Sequence, residues 1–123
     1  MGSDTATRIA WGLLALVHIP PLVVLLNPAS IPHLYGASLD GPARVLLVHR
    51  GALFGAVVAL CLFALWDPAV RRAASMAVGV SMVSFLTLYL QSGLPAGPLR
   101  RVAVVDAAAV LPLLWVTANA WIR

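Results

Sequence analysis

The sequence predicts an all-α protein, a four-helix transmembrane bundle with up-down-up-down connectivity and a kinked first helix. Three observations carry that expectation. Of the 123 residues, 62% are hydrophobic and 10% are charged, against about 25% charged in an ordinary soluble domain. The apolar residues fall into four runs, about 7–27, 43–66, 69–92 and 98–121, each long enough to cross a hydrocarbon core of about 30 Å. The later runs are joined by tight connections, which imply antiparallel neighbours within a single domain.

Residues 1–7 form a short polar start, and the first apolar run extends from Ile9 to Leu26. Arg8 ahead of an apolar core fits a signal peptide. Neither Asn27-Pro28-Ala29 nor Tyr35-Gly36-Ala37 offers small residues at both positions a cleavage site needs, so the run is expected to stay as the first span. Pro20 and Pro21 remove two helical donors and free the carbonyls of Leu16 and Val17, which bends the helix or opens a polar notch beside His18. Residues 27–43 are rich in Pro, Gly and Ser and form the longest connection, with a short helical turn expected at about 31–35.

The second span opens after Gly41-Pro42, where proline suits the first helical turn, and stops at Asp67-Pro68. The third, opened by Arg71 and Arg72, closes at Gly93, and the fourth follows the turn LPAGP. Small residues, namely Gly51, Gly55 and Ala59 on the second span and Ser75 and Gly79 on the third, let helices approach closely. They serve packing within the bundle or, alternatively, a face for a homo-oligomer or larger membrane complex.

Charge limits the partners. Every cation is Arg and every anion Asp, a bias of GC-rich bacterial genomes, and the formal net charge is +4. The arginines lie at the ends of apolar runs instead of clustering on one face, which points to membrane lipids and not to nucleic acid. Four of them (Arg8, Arg71, Arg72, Arg123) belong to the side holding the termini and three (Arg44, Arg100, Arg101) to the other. The positive-inside rule then puts both termini on the cytoplasmic side of a bacterial inner membrane. The termini side is called proximal here and the opposite side distal. One cysteine, Cys61, allows no internal disulfide, and zinc-type Cys/His spacing is absent, so no metal is expected.

The chain's organising stretch is Arg44–Trp66, in which His49 and Arg50 interrupt an otherwise apolar helix. A guanidinium at the centre of an inserted helix costs about 2.5–3.5 kcal/mol, so Arg50 must snorkel, pair or face a wet cavity. Counted from the distal boundary at about 1.5 Å per residue, His18, His49, Arg50 and Asp106 share one layer. Arg50 with Asp106 is the expected ion pair, either fold-specifying or the floor of a site. His18 and His49 would border it, with Ser84 and Gln91 on a polar stripe of the third span and Tyr35 lowered from the loop. Arg44, Arg100 and Arg101 would attract a headgroup at the mouth. No nucleophile beside a base is visible, so the reading is non-enzymatic: binding of a small amphipathic ligand, a quinone or lipid headgroup, in a polar intramembrane pocket. An accessory or homo-oligomeric subunit is one alternative, and a haem protein with His18 and His49 as axial ligands is another. The cofactor is left open.

The run of Leu34-Tyr35-Gly36, His49-Arg50, Leu53-Phe54-Gly55, Ser81-Met82-Val83-Ser84-Phe85 and Arg101-Val102 with Asp106 resembles a family of small bacterial four-helix membrane proteins, loosely similar to the DoxX-type proteins. That resemblance covers about residues 30–110 and implies a link to quinone or thiol redox chemistry, for which Cys61 is the one thiol available. Some members carry the name phosphopantetheine adenylyltransferase. It does not transfer, because His18, His33 and His49 all lack the TxGH-type context and no glycine-rich phosphate loop follows a strand.

Overall fold

The computed structural model describes residues 2–36 and 39–122, without the side chains of Gly2 and Ser3. Arg123, counted above for orientation, and loop residues 37 and 38 lie outside the described residues. The described chain is all helical: α1 (Gly2–Leu26), a 3-10 turn at Pro28–Ser30, α2 (Ile31–Tyr35), α3 (Gly41–Trp66), a second 3-10 turn at Pro68–Val70, α4 (Arg71–Gln91) and α5 (Pro98–Ile122). Within it Asp4–Leu26, Gly41–Trp66, Pro68–Gln91 and Pro98–Ile122 are each long and apolar enough to cross a membrane. The protein is a small membrane protein built as an all-α bundle.

Local chemistry sets the boundaries. Pro42 occupies the first turn of α3, where its missing N–H is not needed. Asp67 ends that helix in an extended conformation, and its Oδ1 accepts from Ala69 N at 2.9 Å to start the next turn. Leu94, between α4 and α5, takes the left-handed conformation with φ 58°. That conformation costs a β-carbon about 1–2 kcal/mol. Tyr89 Oη holds the turn by donating to Pro95 O at 2.7 Å. The helix α1 runs without a break through Pro20 and Pro21.

α1 packs most extensively against α3 and also against α5, while α4 packs against α5 and only sparsely against α3. The glycines of α3 explain the closest of these contacts. A β-carbon on Gly51 would stand 3.0 Å from both Leu25 N and Pro21 O, and one on Gly55 3.0 Å from a Leu22 methyl. The small face of α3 is therefore spent on α1 and is not free for a second copy through those glycines.

The two ends of the bundle differ. At the proximal end Arg71 Nε donates to Ala64 O at 2.8 Å and its Nη1 lies 3.7 Å from Asp4, while Trp115 Nε1 donates to Thr7 and Trp121 Nε1 to Ser75. Just inside lies the tight core, where Trp11, Leu14, Cys61, Ala64, Val78, Met82 and Val116 meet. Cys61 is fully buried there, in keeping with a packing role. The distal half holds His18, Arg50 and Asp106 beside open spaces between helices.

Candidate functional site

His18 is 2% exposed and links α1 to α4. Its Nδ1 bonds Leu14 O at 2.8 Å, and its Nε2 lies 3.3 Å from Ser81 Oγ on α4. A carbonyl only accepts, so Nδ1 carries the proton and, in the neutral ring, Nε2 accepts from the serine hydroxyl. The imidazole also rests on Phe54, ring centroids 5.5 Å apart.

Phe54 connects His18 to Arg50. The guanidinium carbon lies 4.6 Å from the Phe54 ring centre and 5.6 Å from that of Tyr35, and Arg50 Nη1 donates to Tyr35 Oη at 2.7 Å. Ring faces carry partial negative charge, so the two aromatics partly replace the water a guanidinium loses on entering hydrocarbon. Tyr35, at the end of α2, meets the half-buried cation. Burial pushes the Tyr35 phenol above its ordinary value, and the Arg50 charge pulls the other way.

The expected ion pair does not form. Among the described residues the salt bridges are Asp4 with Arg8 and Asp4 with Arg71, and Asp106 takes no hydrogen bond or ion pair within 4.0 Å. Arg50 and Asp106 act on one another only at longer range. The reason lies in the neighbours: α3 packs on α1 and α5 packs on α1 and α4, so the two residues stand on helices without extensive contact.

The two groups open into different spaces. Asp106 lines a cavity of about 220 Å³ bounded by α1, α2 and α5, with Val17, Pro20, Pro21, His33 and Arg101 among its walls. Pro20 and Pro21 thus border a space that Asp106 lines, and His18 is not among its walls. Arg50 lines a cleft of about 270 Å³ between α3 and α4, with Leu53, Val57, Ser81, Ser84 and Leu88. Ser84 Oγ donates to the Ser81 backbone carbonyl at 3.2 Å, and both serines line this cleft.

His49 and Gln91 do not join the cluster. Both are exposed, and neither has a hydrogen-bonding partner among the described residues. With His18 internal and bonded through both ring nitrogens while His49 faces outward, the pair does not frame a common space for an iron porphyrin. The headgroup arginines are likewise divided: Arg101 lines the Asp106 cavity, Arg100 a groove between α4 and α5, and Arg44 is exposed on the first turn of α3. Phe54 is the residue that sequence reasoning passed over. Its position four residues after Arg50 was the available signal, since such a spacing stacks side chains on one helical face.

The chain matches no family model, no curated protein and no solved structure.

Proposed function

We propose that the protein binds a small amphipathic ligand of quinone or lipid-headgroup type in its distal half, with the polar end at Arg50 and the tail in the α3/α4 cleft. One observation carries the reading. Arg50 spends one hydrogen bond on Tyr35, has no carboxylate within 4.0 Å, and borders an apolar cleft. A guanidinium has five N–H donors, and an ionisable group held at membrane depth without its counter-charge marks a functional site. Ser81 and Ser84 add hydroxyls beside the cation, and Leu53, Val57 and Leu88 supply the apolar walls. The quinone option draws on the resemblance to DoxX-type proteins. The setting is a bacterial inner membrane with both termini cytoplasmic.

A photoreactive azidoquinone tests this on protein reconstituted in lipid nanodiscs. Labelling is expected on peptides of α3 and α4, competed by unlabelled quinone and reduced in Arg50→Gln. Labelling spread evenly over the chain, or unchanged in that variant, overturns the quinone form. Native mass spectra in which neither wild type nor Arg50→Gln retains a lipid or quinone overturn the reading altogether.

A further inference from the structure

The seam between α4 and α5 carries a groove of about 500 Å³ that is separate from the Arg50 cleft. Its walls are Leu86, Leu90, Leu94 and Val104, and the small Ala103 and Ala107 hollow out its α5 side. Arg100 stands at the rim. Its Nη2 donates to Leu94 O at 3.1 Å and its Nε to Tyr89 Oη at 3.4 Å, which leaves Nη1 without a partner among the described residues. From Arg100 to Ala107 the helix advances about 10 Å, a large part of one leaflet of a hydrocarbon core about 30 Å thick.

We propose that this groove holds an anionic phospholipid, its phosphate on Arg100 and one acyl chain laid between α4 and α5. The inference does not depend on the ligand assigned to Arg50. Charge complementarity selects the occupant: Arg100 stands at the rim, no Asp lines the groove, and an apolar trough ending in an open cation fits a tail below a negative head. A second copy of the chain is a poor fit, because it would bring a net charge of +4 to a cationic rim. The turn holding Leu94 in its left-handed conformation is braced by the same guanidinium, so the lipid would sit against a fixed edge.

The test is native mass spectrometry of the full chain released from nanodiscs holding phosphatidylglycerol and phosphatidylcholine in equal amounts. Wild type is expected to retain lipid and to favour phosphatidylglycerol about fivefold, the share of one arginine at an anionic surface. Arg100→Gln removes the preference. Because that change also loosens the turn, Ala107→Phe is measured beside it: a ring at an exposed helical position fills the groove, and total lipid retention falls while helicity by circular dichroism holds. Gly79→Ala, a change at a position with nothing within 4 Å, leaves the preference unchanged. Equal retention of both lipids by wild type, a preference that survives Arg100→Gln, full retention in Ala107→Phe, or a lipid-free dimer as the released species overturns the proposal.

Discussion

Arg50 donates to Tyr35 Oη at 2.7 Å, and through that bond a loop residue, not a carboxylate, answers the cation embedded in α3. A hydrogen bond to a charged group contributes about 1.5–3 kcal/mol. Tyr35→Phe should lower stability by about that amount in a mixed-micelle unfolding titration, whereas Asp106→Asn should cost less than about 1 kcal/mol because no close pair is lost. The reverse ranking would restore the ion pair as the main restraint.

Gly51 and Gly79 should respond oppositely to alanine. At Gly51 the new methyl meets two backbone atoms at 3.0 Å, which cannot turn aside as a side chain can, so α1 and α3 must separate. Such overpacking costs about 1–3 kcal/mol. At Gly79 nothing lies within 4 Å, and alanine should stabilise by up to about 1 kcal/mol through helix propensity. Unfolding midpoints of the two variants decide, and size-exclusion profiles should show no change of assembly from the loss of Gly51.

Two proximal arginines should likewise separate. Arg71 caps the end of α3 by donating to Ala64 O and Leu65 O, while Arg8 makes an exposed pair with Asp4 one helical turn away. Arg71→Gln is expected to cost about 1–2 kcal/mol, the value of a cation in a favourable partly buried place at a helix C-terminus. Arg8→Gln should fall within about 0.5 kcal/mol of wild type. Equal losses would show that the cap contributes nothing of its own.

Cys61 lies in the core with no exposed surface. Maleimide should leave it unmodified in the folded protein and label it fully after denaturation, since a thiol without access does not react. Rapid labelling under native conditions would place α3 elsewhere.

The bundle was legible because its signals are local. Asp67-Pro68 and Gly41-Pro42 interrupt apolar runs of membrane length, and α3 and the turn after it begin and end at those residues. The site was legible only in part. Counting residues from a boundary gives depth, and depth puts His18, His49, Arg50 and Asp106 in one layer. It says nothing about direction around the helix. Consecutive residues differ by about 100°, so when Arg50 turns to Tyr35 and Phe54 its neighbour His49 is left exposed. Which helices become neighbours is also not written in hydropathy, and that choice separates Arg50 from Asp106.

The sparse contact between α3 and α4 has a kinetic corollary. Under the proposed function, a ligand entering sideways through this opening would stay in the oily phase until it met the guanidinium. Its rate of arrival therefore follows its partition coefficient and the fluidity of the surrounding leaflet, with aqueous concentration entering only through them.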